Sequence, residues 1–81
     1  MGIPVTSIAV GKCYVTAIGQ VRRVLEIKDA KVRYESRGKT AHGGSWGDPV
    51  GVSTVKFARD VEREVVCDYD PMKVDEIETG R

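Results

Sequence analysis

The sequence predicts a mainly β protein: a small barrel of four or five antiparallel strands with one short helical turn before the last strand. Three observations carry that expectation. KCYVTAIGQVRRVLEIKDAKVRYESRG is dense in β-branched and aromatic residues set between short polar breaks. Its last part alternates, Val32, Tyr34 and Ser36 against Arg33, Glu35 and Arg37, the period of a strand with one face in and one out. The chain has 81 residues, enough for one domain with a stability of about 4–12 kcal/mol but too few for a two-lobed active site.

Taken in order, residues 12–17 read as the first strand and Ile18-Gly19-Gln20 as a bend. Residues 21–28 and 31–37 form the second and third strands. Asp29-Ala30 is the two-residue turn between them, with Asp29 supplying the side-chain acceptor such turns favour. In the second strand Val21, Leu25 and Ile27 share a face with Arg23, while Val24 lies on the other. A bulge near Arg22-Arg23 would repair the pattern and bend the strand, as barrel closure requires.

RGKTAHGGSWGDPVG, residues 37–51, holds five of the nine glycines, the only histidine and the only tryptophan, and reads as a long loop. A fourth strand follows at 51–55. In TVKFARDVEREVV, Phe57, Val61 and Val65 recur every four residues, as on a helix, whereas Val61, Arg63 and Val65 alternate, as on a strand. A helical turn at 55–60, capped by Ser53 or Thr54 and leading into a last strand at 61–66, accommodates both. The division is therefore a barrel over 1–66 and an acidic C-terminal tail over 67–81.

This succession of short strands, tight turns and one late helical turn resembles a small Src-homology-3-like (SH3-like) barrel. GQVRRVLEIKDAKVRYE, residues 19–35, also resembles the KOW motif found in such barrels. Gly19, Val21, Val24, Val32 and Tyr34 fall roughly at its glycine and hydrophobic positions. That resemblance implies partners of the ribosome or RNA-polymerase kind. The chain as a whole is similar to small uncharacterised bacterial proteins of phages and mobile elements.

With 41% hydrophobic and 31% charged residues, the composition is that of a folded soluble domain. No apolar run approaches the roughly 20 residues of a membrane span. MGIPVTSIAV lacks the basic start of a secretory signal. Gly2 with Thr6 fits a short myristoylation pattern, but Pro4 interrupts it. The expected location is the cytoplasm, where Cys13 and Cys67 are free thiols unless the first and last strands bring them together. Net charge is +1, yet residues 1–40 carry +5 and residues 41–81 carry −4. Such segregation gives a field even near neutrality.

Catalysis is not expected. GGSWG matches the nucleophile-elbow pattern around Ser45, but Gly47, Asp48 and Pro49 prevent the helix that the elbow needs. His42 alone offers a base. Gly43, Gly44 and Gly47 form no phosphate-loop pattern. His42, Cys13, Cys67, Asp68 and Asp70 have no metal-site spacing, and DYDPMK departs from a calcium loop at Met72 and Lys73. No cofactor is expected.

The candidate site is a binding site. Trp46 either caps the core or offers a stacking face, with Tyr14 and Tyr34 beside it if strands one and three face the same side. Arg22, Arg23, Arg33 and Arg37 lie on the predicted hairpin, where they either pair with Glu26 and Glu35 or form a phosphate-contacting stripe beside Trp46. Binding residues are therefore expected among Trp46, Arg22, Arg23, Arg33, Arg37, Tyr34 and His42. The expected function is a non-catalytic module for a protein or nucleic-acid partner. The alternatives are a homo-oligomeric accessory protein, whose strand edges pair between copies, and a small-molecule binder using the glycine loop.

Overall fold

The computed structural model describes residues 2–38 and 46–69. Strand β1 spans Cys13–Thr16, β2 Val21–Lys28, β3 Lys31–Arg37 and β4 Val50–Ser53; helix α1 spans Thr54–Asp60 and β5 Val61–Val65. A single 3-10 turn, Val5–Ser7, precedes them. The strands form one antiparallel sheet in the order β4-β3-β2-β1-β5.

Local chemistry sets the turns. Gly19 takes φ 88°, which lets the chain reverse between β1 and β2 while Thr16 N–H donates to the Gln20 carbonyl at 2.8 Å. Asp29 and Ala30 both take positive φ, 53° and 61°, the pair a two-residue hairpin needs to match the strand twist. Ala30 lacks the freedom of glycine there, so the turn holds local strain. Ser53 Oγ accepts from the Lys56 N–H at 3.1 Å and caps α1. Thr54 N–H donates to the Ala30 carbonyl at 3.0 Å, tying the helix start to the hairpin turn.

Two expectations change. The bulge lies at Leu25, between the pairs Val24↔Tyr34 and Glu26↔Arg33, and not at Arg22-Arg23. The extra residue puts Ile27 opposite Val32, hence on the face of Val24 rather than that of Val21. The barrel does not close either. β4 and β5 are the two edges, and the seven-residue α1 joins them instead of a ladder of hydrogen bonds.

The first face of the sheet carries the main core: Ile8, Tyr14, Val24, Val32, Tyr34, Phe57, Ala58 and Val61. Phe57 of α1 is fully buried between two tyrosines, its ring 5.6 Å from Tyr14 and 5.2 Å from Tyr34, both edge-on. The Tyr14 hydroxyl donates to the Ser7 carbonyl at 2.8 Å and accepts from the Ala9 N–H at 2.9 Å, which pins the N-terminal segment to the core. Burial raises the Tyr14 pKa above 10.0; the bond from Ala9 partly opposes this. Ile3 N–H donates to the Ala58 carbonyl, and a Cβ at Gly2 would stand 2.7 Å from that oxygen, so the chain start lies directly on the helix backbone.

β1 is buried on both sides. Its other face joins Cys13 and Val15 to Val21 in a second, smaller cluster, against which Trp46, Val65, Cys67 and Tyr69 pack.

Candidate functional site

Strand parity sorts the expected site residues onto opposite faces. Directly paired antiparallel residues point the same way. Val21, Arg23, Glu35 and Arg37 therefore share the second face with Cys13, while Arg22 pairs with Tyr14 and looks toward the first.

On the second face the expected neighbours of Trp46 are corrected. Tyr14 and Tyr34 are on the far side of the sheet, packed on Phe57. Trp46 is half-buried and meets two guanidinium groups instead, Arg23 at 4.4 Å and Arg37 at 5.2 Å from the ring centroid. Arg23 is already neutralised, with its Nε donating to Glu35 Oε2 at 2.7 Å across the hairpin. Arg37 is only 5% exposed. Its Nη2 donates to the Cys67 carbonyl at 2.7 Å and the Tyr69 carbonyl at 2.6 Å, and its Nη1 is a buried donor without a hydrogen-bond partner among the described residues. Among the described residues no carboxylate pairs with it, so carbonyl dipoles and the indole face carry its charge.

The carbonyls belong to a strap, residues 66–69, that leaves β5 and crosses the second cluster. Cys67 is joined to Cys13 of β1 by a disulfide, with Cα atoms 5.1 Å apart. The two thiols expected to be free are one covalent clasp, because β5 pairs with β1 and sets Val65 beside Cys13. Arg63 of β5 lies under the Tyr69 ring at 5.1 Å and donates to its hydroxyl at 2.6 Å.

The remaining predicted residues do other work. Arg22 donates to Gln20 Oε1 at 2.8 Å, stands 3.8 Å from Asp60 of α1 and lies over the Tyr34 ring at 4.9 Å. Tyr34 is core. The Asp60 carboxyl is held below its ordinary 3.8, first by the hydrogen bond from Lys56 and then by the charges of Lys56, Arg22 and Arg59. His42, Gly43, Gly44 and Ser45 lie outside the described residues, as do residues 70–81 of the expected tail.

Arg33 behaves differently from the other hairpin arginines. It is exposed and borders an open hollow of about 230 Å³ between the β2–β3 turn and β4, with Glu26, Lys28, Lys31, Pro49, Val50 and Gly51. Lys28, Lys31 and Arg33 form no ion pair among the described residues, and Glu26 is the single acid on the rim. Lys28 and Lys31 were not among the residues expected at a site. The signal was present: two cations that flank a two-residue turn are paired neighbours on one face.

Among the described residues no three histidine, cysteine or acidic side chains gather as metal ligands, and no helix is long and apolar enough to cross a membrane. Compared with family models, curated proteins and solved structures, the chain has no match.

Proposed function

We propose that the chain is a non-catalytic binding module of the SH3-like type that takes a nucleic-acid backbone on the open hollow at the turn end of its hairpin. The fold part of this reading is supported by the strand order β4-β3-β2-β1-β5 and by the helix between the fourth and fifth strands. The binding part is supported by one observation above all. Lys28, Lys31 and Arg33 outnumber the one acid, Glu26, around the hollow and form no ion pair among the described residues, whereas Arg22, Arg23 and Arg63 are each held by other side chains. Free cations around a concave, solvent-open surface suit phosphates, and Gly51 leaves the hollow's wall without a side chain.

Fluorescence anisotropy with labelled single- and double-stranded oligonucleotides tests this. Three phosphate contacts give a slope of log affinity against log salt of about −2 to −3. Lys28→Ala with Lys31→Ala and Arg33→Ala should abolish that slope, while Arg22→Ala, on the other face, should leave it intact. Absence of binding at low salt, or binding indifferent to the triple change, rejects the reading. The outer edges of β4 and β5, unpaired among the described residues, favour a second reading, a homo-oligomer joined edge to edge. A solution mass well above the chain's 8.9 kDa would support it, and a monomer at high concentration removes it.

A further inference from the structure

The second face is covered by chemistry that depends on one bond. The strap holds to the sheet at three places: Cys67 to Cys13 on β1, the Cys67 and Tyr69 carbonyls to Arg37 on β3, and Tyr69 to Arg63 on β5. Between them lie Val15 and Val21, both buried. The bond itself is reachable. A hollow of about 490 Å³, lined by Gly11, Lys12, Glu64, Val65 and Val66, opens beside the two cysteines. Cys67 is half-buried and faces it, whereas Cys13 is 1% exposed.

We propose that Cys13–Cys67 is a thiol–disulfide clasp that opens and closes the strap according to the surrounding redox poise. A small thiol of the glutathione class enters the hollow as its thiolate and attacks the Cys67 sulfur. A mixed disulfide forms there, the Cys13–Cys67 bond breaks, and the electron pair leaves on the Cys13 sulfur, which takes a proton. A second thiolate then displaces Cys67. In sum two small thiols are oxidised to their disulfide, and one protein disulfide is reduced to two thiols. The first attack falls on Cys67 because it is the more exposed residue of the two.

With the bond broken, Arg37 loses the covalent support that holds its two carbonyl acceptors in reach. A buried guanidinium without acceptors is costly, so the side chain turns to water and the strap lifts with it. Trp46, stacked on that guanidinium, is uncovered together with Val15 and Val21. The first face, with Phe57, Tyr14 and Tyr34, is a separate cluster and keeps the sheet intact. The clasp is independent of the hairpin hollow, whose cations take no part in it.

The only tryptophan makes the test direct. The full chain is equilibrated in glutathione buffers of graded reduced-to-oxidised ratio, and its thiols are counted by alkylation and mass. As the two thiols appear, Trp46 emission should move to longer wavelength and acrylamide quenching should rise about twofold, while the far-UV sheet signal persists. Returning the chain to oxidising buffer should reverse both. Cys67→Ser should match the reduced chain in every buffer. Three results overturn the proposal: a bond that stays closed across the whole series, quenching that does not change when both thiols are free, or loss of the sheet signal along with the bond. The last would make the disulfide a staple of the whole fold rather than a clasp on one face.

Discussion

The two faces of this sheet are sealed in different ways. On the first, Phe57 of α1 presses between Tyr14 and Tyr34 in a cluster of eight buried apolar and aromatic residues. On the second, three small residues of β1 and β2 lie under a strap held by a disulfide and one buried arginine. Apolar burial is non-directional and does not respond to redox poise. A covalent clasp over a buried cation depends strongly on condition. The contrast assigns stability to the first face and response to the second.

The sharpest way to break that contrast is Phe57→Ala. Removing a fully buried aromatic ring costs about 3–5 kcal/mol, a large share of the whole stability of a chain this short. Urea unfolding should show a much lower midpoint in both redox states, with Trp46 and the sheet signal lost together in the oxidised chain and the sheet signal alone reporting the transition in the reduced one. If Phe57→Ala lowered stability by less than the loss of the disulfide does, the second face would be the structural one and the assignment would reverse.

Much of the fold was legible. The bounds of β2 and β3 follow from their β-branched runs and the two-residue turn, and Ser53 announces the helix as an N-cap should. The site was less so, for two reasons. Which way a side chain points depends on where the strand bulges, and the composition of VRRVLEIK allows the extra residue at several places. Setting it at Leu25 instead of Arg22-Arg23 sends Ile27 across to the core side and leaves Arg23 beside Trp46. The clasp joins residues 54 positions apart, and only the β1–β5 register makes them neighbours. Arg37 looks like any other hairpin arginine in the sequence; its burial comes from a strap that local periodicity does not show.

A smaller effect sharpens the first face. Tyr14→Phe keeps the ring against Phe57 but leaves the Ser7 carbonyl and Ala9 N–H without the hydroxyl. The expected loss is about 1–2 kcal/mol. Because burial raises the pKa of Tyr14, the folded chain holds that proton more tightly than the unfolded one. Its contribution is complete below the ordinary value of 10.0 and disappears as pH rises through the higher native value. Unfolding followed by circular dichroism from pH 8 upward should show the wild-type chain losing its advantage over Tyr14→Phe in that range. Parallel pH curves for the two chains would mean that the hydroxyl is not anchored as described.

The smallest effect serves as the reference for all the others. Ala30 sits at φ 61° in the β2–β3 turn, where a methyl group meets the following carbonyl and glycine does not. Relief of that strain is worth about 1–2 kcal/mol, and the extra freedom of glycine in the unfolded chain takes back about 0.5–1 kcal/mol. Ala30→Gly should therefore be neutral to slightly stabilising, by about 0–1.5 kcal/mol. The turn lies at the end of the hairpin, bonded to the start of α1 through Thr54 but apart from the strap, so the gain should be the same in oxidised and reduced chains. Equal increments would show that the hairpin is one unit on which two independent covers sit. An increment that changed with redox state would mean that opening the clasp reaches the turn through β2 and β3, and the separation of the two faces would fail.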